Sequence, residues 1–370
     1  MKVLLLAAGG RAGADLFQSI IDGHSQILQF PGCMKIEKKF ETIFNLDSPE
    51  KIAKTFIKVY PEFFDSRKNK FERWNKLGGK KNKHFIVNEK KFIQSFINYS
   101  KKKKNINRLK ILENLHYAYS FAKGEKVNKK KILFIHTHLL SWTKRFIKIV
   151  KLKNFEIIHT IRHPLASISS PLKTWLRFEG GNSFYPKDLH YQLDLVFNCI
   201  NDLKRLSRVY IIQLEKLHLE TSKVMRSFSR QFKIRYENCL NKSTKNGLKW
   251  WGDVYGQKWL SGINKKFRIN IDERYFYKRD LIFFQNLTES IIKRYGYKMI
   301  YPRKNIYFNC IPMRCEILVW KNTIKQLFKG FRWNHFLSIP LFYIIRIFLF
   351  NKIVINNSNQ FMPKAIGQKK

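Results

Sequence analysis

Four short runs in this chain are apolar without alternation: VLLLA at 3–7, ILFIH at 132–136, FEIIHTI at 155–161 and VYIIQL at 209–214. A strand with one wet face alternates apolar and polar residues; a strand covered on both faces does not. Helical patterns lie between the runs, at Asp15–Asp22 closed by Gly23, Ser141–Val150, Ala166–Leu176 and Asp188–Leu206. Strand then helix, repeated, requires a parallel sheet with helices on both faces. The expected fold class is α/β, a three-layer α/β/α arrangement around a central parallel sheet, with residues 1–300 forming one domain. Within it the segment 35–130 is rich in lysine and aromatic residues (ERWNKLGGKKNKHF, SKKKKNINRLK) and reads as helical insertions and loops. Residues 301–370 read as a C-terminal extension.

Charge narrows the partners. The 370 residues hold 72 Lys and Arg against 26 Asp and Glu, a formal net charge of +46. Such an excess favours nucleic acid, acidic lipid or a polyanionic small molecule. Abundant Lys, Asn, Ile and Phe are also what an A/T-biased genome writes onto neutral surface positions. Five scattered cysteines, Cys33, Cys199, Cys239, Cys310 and Cys315, form no CxxC pair. They read as reduced thiols in a cytosolic setting, not as a disulfide frame or zinc site. The N-terminus reads as a strand and not as a secretory signal, so a cytoplasmic location is expected.

The most hydrophobic stretch is HFLSIPLFYIIRIFLF at 335–350. It is shorter than the roughly 20 apolar residues of a spanning helix, and it contains Pro340 and Arg346. Lys325, Lys329, Arg332 and Lys352 lie nearby. Two readings follow: an in-plane anchor in peripheral contact with anionic lipid on the inner membrane face, or a helix packed on the core or on a partner.

The first strand breaks into AAGGRAGAD, residues 7–15, with Gly9, Gly10 and Gly13 around Arg11. A glycine-rich turn between a parallel strand and a helix points backbone N–H groups at one spot, and the helix N-terminus adds partial positive charge. With a guanidinium beside it, such a cradle suits phosphate or sulfate, although a turn of this kind is often only a turn. The spacing is neither GxxxxGK[ST] nor GxGxxG. A second segment, EIIHTIRHPLASISSPLKTW at 156–175, ends a strand in Arg162 and opens a helix at Pro164. Ser170 lies eight residues beyond Arg162, two helical turns away, so a group of a phosphate's width would be needed to bridge them.

Together the two segments resemble the sulfotransferases that use 3′-phosphoadenosine-5′-phosphosulfate (PAPS). GGRAGAD looks like their 5′-phosphosulfate loop, and RHPLASISS like the strand-end arginine and later serine that bind the 3′-phosphate. NGLKWWGDVYGQKW at 246–259 is similar to the late Gly/Trp-rich loop that closes over the nucleotide in bacterial members, and IIQLEKL at 211–217 to a strand ending in a Glu-containing turn. The resemblance spans about residues 2–300. It implies a P-loop-like nucleotide-binding core, PAPS as co-substrate with no metal required, and a cofactor site at Gly10, Arg11, Ala12, Gly13, Ala14, Asp15, Arg162, Ser170, Trp250 and Gly252. Ala12 and Ala14 stand where the family has hydroxyls, so two donors to the anion are missing. Asp15, where cytosolic members have threonine, is expected to cap the helix. Leu16 replaces an adenine-stacking tryptophan, which leaves Phe17, Trp250 or Trp251 to stack.

Sulfuryl transfer resembles phosphoryl transfer in needing positioning, fixed cations and a base for the acceptor hydroxyl. FIHTHLL at 134–140 looks like the family's Lys-Thr-His segment, with His136 at the lysine and His138 at the catalytic histidine. Strand alternation puts both imidazoles on one side. His-Thr-His lacks a convincing third metal ligand. The expected catalytic set is His138, Arg11 and His136; His163, Glu215, His159 and Asp253 read as structural. The acceptor is expected to be a hydroxyl of a glycan or glycolipid, on the strength of aromatic residues in 35–130 and the apolar tail. The competing class is a non-catalytic basic protein binding anionic membrane or nucleic acid, although no nucleic-acid module is recognisable. A magnesium-dependent kinase lacks its P-loop lysine and its carboxylate.

Overall fold

The computed structural model describes residues 1–36, 40–101, 107–178, 184–197, 208–254, 259, 262–302, 310–327, 333–356 and 363–367. Cys199, residues 198–206 of the expected fourth helix, and Lys329 and Arg332 lie outside them. The sheet has six strands in the order β2-β3-β1-β4-β5-β8, each paired parallel with its neighbours. They are β1 (Lys2–Ala8), β2 (Ile27–Leu28), β3 (Ile132–Leu139), β4 (Glu156–Ile161), β5 (Val209–Gln213) and β8 (Lys364–Ala365). A separate hairpin pairs β6 (Thr244–Lys245) with β7 (Leu248–Lys249).

The four continuously apolar runs are the four central strands, and helices cover them as the absence of alternation demands. Val3 to Ala8 are all buried, as are all six residues of β4. The core beneath β1 packs Phe17 between Phe134 and the edge-on Phe228, ring centroids 6.1 and 5.4 Å away. Phe17 therefore has no face to offer a nucleotide.

The helices follow the strands. They are α1 (Ala14–Ile20) after β1, α6 (Leu140–Val150) after β3, α7 (Pro164–Leu172) after β4, and α9 (Leu214–Leu219) with α10 (Thr221–Phe232) after β5. The insertion between β2 and β3 is helical as expected: α2 (Pro49–Val59), the short α3 (Pro61–Phe64), α4 (Glu89–Lys101) and α5 (Arg108–Ala122). Ser48 and Asn107 cap α2 and α5 through their side chains. The expectation that Asp15 caps α1 fails. The cap is Gly13, left-handed with no side-chain bond, and Asp15 sits inside the first turn.

A second core joins α7, α8 (Pro186–Phe197), α11 (Lys278–Leu287), α13 (Arg314–Leu327) and α14 (Trp333–Asn356); a short α12 (Glu289–Arg294) follows α11. The apolar stretch 335–350 thus belongs to a longer helix with one face against the protein. The extension also returns to the sheet: β8 pairs with Tyr210 and Ile211 of β5, and Tyr295 Oη donates to Pro363 O at 3.0 Å. In a parallel sheet every strand ends at the same edge, so the turns after β1, β3, β4 and β5 all open there.

Candidate active site

The turn after β1 is held in an unusual backbone. Gly10, Arg11 and Gly13 have φ of +35°, +41° and +85°, and Ala12 between them does not share the positive sign. Left-handed residues flanking an ordinary one turn successive N–H groups to one side, the concavity that holds anions in many proteins. Gly13 is required for a second reason. A Cβ there would sit 2.4 Å from Leu214 Cδ1 of α9. Its close approach is to the chain's own leucine. Ala12 and Ala14 are buried. Since α1 has only seven residues, its dipole is small, and the cationic side chains dominate the field.

Arg11 ties three distant segments together. Its Nε donates to Ser170 Oγ at 3.2 Å, 159 residues away, and its Nη2 donates to Asp253 Oδ2 at 2.9 Å, 242 residues away. The glycine-rich turn, the helix after β4 and the Gly/Trp segment therefore meet at one guanidinium. Arg162, eight residues before Ser170, lies close enough for Arg11 to disfavour its charge. Burial depresses the Arg162 guanidinium most, Glu215 opposes that, and Arg11 adds to it. Among the described residues Arg162 forms no hydrogen bond or ion pair, and its Nε is buried without a partner. Its nearest aromatic face is Phe267, 5.9 Å from centroid to Cζ. Glu215 is occupied elsewhere. It accepts from His163 N at 2.8 Å and Tyr297 Oη at 3.0 Å, a structural clamp on the turn after β4. His163 Nε2 meets Lys298 O at 3.2 Å, which is also structural.

The histidines form a relay. His136 Nδ1 meets Gln18 Oε1 at 2.8 Å, and His136 Nε2 meets His138 Nδ1 at 3.3 Å. Gln18 Nε2 donates to Phe30 O and Gly32 O, which fixes which end of the amide faces the imidazole. An amide oxygen can only accept, so His136 carries its proton on Nδ1 and presents a lone pair at Nε2. His138 must then donate from Nδ1, which leaves its Nε2 lone pair as the basic atom of the pair. Burial lowers both imidazoles, His136 to about 3, so both are neutral near pH 7. Simple alternation does not account for this contact. A bulge between Leu6 and Ala7 shifts the β1–β3 register, and His138 has φ of +67°. Thr137, in the bulge, bonds Leu6 O and Thr143 Oγ1. Asp15 Oδ1 lies 3.7 Å from His136 Nδ1. Burial would raise the Asp15 carboxyl, but His136, His138, Lys245 and Arg11 together outweigh it and hold it below its ordinary value.

One charged residue escapes sequence reading altogether. Lys245, buried in β6, donates to Pro31 O at 2.8 Å, and its Nζ lies 5.4 and 5.2 Å from the Trp74 and Trp250 ring centroids. Burial lowers its ammonium, while Asp15, Glu72 and Asp22 favour its charge. Burial pushes the Glu72 carboxyl well up, and Asp15 and Asp253 add to this. The available signal was Asn246-Gly247, with φ of +47° and +77°, the residue pair that makes a two-residue hairpin turn. Trp250 is a core residue, its Nε1 donating to Glu72 O at 2.8 Å; Trp251 Nε1 donates to Gly78 O at 2.7 Å under Lys249. Gly252 follows with φ of +79°. Residues 255–258 of the expected closing loop lie outside the described residues.

No family model matches this sequence, and no curated protein does. Among the solved structures that align with this chain are two sulfotransferase domains. The sulfotransferase domain from the curacin biosynthetic pathway is 13% identical, with 86% of this chain and 96% of that one covered at a TM-score of 0.38. The sulfotransferase domain from the Synechococcus PCC 7002 olefin synthase is also 13% identical, with 81% and 96% covered at a TM-score of 0.40.

Proposed function

We propose that this chain transfers the sulfuryl group of PAPS to a hydroxyl of a glycan or glycolipid, in the cytoplasm and in peripheral contact with the inner membrane face, with residues 1–300 forming the transferase domain and 301–370 its extension. The observation that carries the reading is the meeting of Arg11, Ser170 and Asp253 beside a half-buried Arg162 whose Nε is enclosed without a hydrogen-bond partner. An arginine cannot shed its charge near neutral pH, so one with an enclosed nitrogen and no carboxylate bonded to it is completed by an anion from outside. A bisphosphorylated nucleotide has one anionic group for each arginine, and this fits the residues present. When bound, PAPS would supply the activated sulfuryl group. In this reading Arg162 and Ser170 hold the 3′-phosphate, and the turn Gly10–Ala14 with Arg11 holds the 5′ end, where the guanidinium offsets charge on the moving group. His138 Nε2 accepts the acceptor's proton, and His136 keeps that nitrogen free. Asp15 stabilises the charge that then reaches the relay. Gly252 lets the chain turn beside Asp253, and Trp250 anchors that turn from beneath.

Calorimetry with 3′-phosphoadenosine-5′-phosphate tests this. Binding by wild type, abolished in Arg162→Ala, is expected; a wild type that takes up no nucleotide removes the proposal. The basic surface favours one rival, a non-catalytic binder of nucleic acid. Filter binding to DNA with a steep salt slope and no competition by the nucleotide selects it instead.

A further inference from the structure

Helix α14 has two faces of different character. Toward the protein, Ser338, Arg346, Leu349 and Phe350 are buried, His335 stacks on Tyr185 at 3.7 Å, and Phe342 lies 5.6 Å from His190 of α8. Away from it, Trp333, Leu337, Leu341, Ile344 and Phe348 are 57, 61, 53, 50 and 69% exposed. Their spacing of four, four, three and four residues makes one continuous stripe along the helix. A stripe of this size on a folded protein marks a contact surface.

We infer that this stripe lies in the plane of an anionic bilayer, with the helix axis parallel to the surface. The inference deepens the membrane part of the reading above, and it holds whether or not the chain transfers sulfuryl groups. Three observations select the occupant. First, residues 317–370 contain nine Lys and Arg and no Asp or Glu; Lys321 and Lys325 of the packed helix α13 and Lys352 of α14 are exposed, as is Ile324. Basic residues flanking an apolar helix face are what anionic headgroups attract. Second, the alternative of a second copy would bring together two chains of formal charge +46, which repel. Third, Trp333–Lys352 is long and apolar enough to cross a membrane, yet its other face forbids it. Arg346 Nε and Nη2 donate to Glu316 Oε1 and Oε2 of α13 at 2.9 and 3.1 Å. A spanning α14 would carry that ion pair and the α13 backbone into hydrocarbon, or tear the pair apart. Lying flat satisfies both faces at once. Gln192 of α8 approaches the Gly10 turn to 3.6 Å of where a Cβ would be, so one helix separates the bilayer face from the anion site.

The test is flotation of the purified full chain with vesicles of phosphatidylcholine alone and of phosphatidylcholine mixed with phosphatidylglycerol. Wild type should float with the anionic vesicles and be released by alkaline carbonate. Leu341→Glu and Phe348→Glu, at exposed positions, should keep the wild-type unfolding curve and lose at least tenfold in vesicle affinity; Lys321→Glu with Lys325→Glu should lose affinity and salt dependence together. Equal flotation of wild type and Phe348→Glu overturns the inference, as does absence of wild-type flotation. Carbonate-resistant protein overturns the in-plane orientation. A wild-type dimer that Phe348→Glu converts to monomer in the ultracentrifuge assigns the stripe to a second copy. Nucleotide calorimetry on the same samples keeps this outcome separate from the transfer reading.

Discussion

Two arginines in this molecule, Arg346 fully buried and Arg162 half-buried, have opposite surroundings. Arg346, in α14, is gripped at two nitrogens by Glu316 and lies over the rings of Tyr343 and Phe350, 5.0 and 5.5 Å from their centroids. Arg162, at the end of β4, has no such carboxylate among the described residues, and its Nε is orphaned. A buried ion pair is close to neutral for stability, whereas one left without its partner costs several kcal/mol. The chain therefore completes Arg346 itself and leaves Arg162 incomplete. The first pattern fastens a helix; the second is what a protein keeps when the missing half arrives from outside.

Replacing each arginine's surroundings breaks the comparison from both sides. Arg162→Met should lose the charge-assisted bonds to a phosphate, roughly 3–6 kcal/mol for two of them, so 3′-phosphoadenosine-5′-phosphate binding falls by a hundredfold or more in calorimetry. Its unfolding midpoint in urea should stay at or above wild type, because no internal partner is abandoned. A large drop in that midpoint would place Arg162 with Arg346 as a structural residue. Glu316→Ala does the reverse. It strands Arg346 and should cost about 3–5 kcal/mol of stability, with nucleotide affinity unchanged. An unaltered midpoint for Glu316→Ala would dissolve the distinction.

A buried histidine sharpens the rule. His159 of β4 is fully enclosed, with both ring nitrogens unpartnered. Unlike arginine, it can give up its charge, and burial lowers its pKa to about 4. The unfolded imidazole titrates near its ordinary 6.5, so between pH 6.5 and 4 the unfolded chain binds the extra proton. Stability from this residue is full above 6.5 and declines as pH falls toward 4, by roughly 3 kcal/mol at the lower end. His116 and His218, also lowered by burial to about 4, act in the same direction. Denaturant melts across this range should show the decline, and His159→Leu should flatten it. An unchanged slope in that variant would mean that His159 is not buried neutral.

What was legible in the sequence follows the same division between local and distant causes. Continuous apolar runs announce strands covered on both faces, and the four central strands match theirs to within three residues at either end. β2 and β8 have two residues each, too few for any period, and β8 joins β5 from more than 150 residues away. That the loops carrying Arg11 and Ser170 meet could be anticipated only through their joint resemblance, because neither loop alone specifies a partner; the direct bond between Arg11 and Ser170 could not, since the resemblance sets them at opposite ends of a nucleotide. Lys245 could not be anticipated. A lysine beside Asn-Gly looks like any solvated hairpin, and only the packing of Trp74 and Trp250 around it makes it a buried cation. Asp15 was misplaced because a helix cap depends on the φ of the preceding residue, which glycine at position 13 leaves open.

The smallest effect concerns a buried group completed by a relay. Gln18 holds the His136 proton on Nδ1, and that choice passes to His138 through a single bond. In wild type, long-range proton–nitrogen NMR correlations should therefore place the proton on Nδ1 of both rings. Gln18→Met removes a hydrogen bond worth about 1 kcal/mol, and His136 should then populate its other tautomer roughly fivefold more. A proton on Nε2 of His136 would turn that nitrogen from acceptor into donor, and His138 could no longer keep Nε2 free. Wild-type spectra of that kind would break the relay without touching the arginines. The two halves of the proposed site are thus testable apart: anion capture would depend on an arginine the fold leaves without a bonded carboxylate, and proton removal on a tautomer the fold selects.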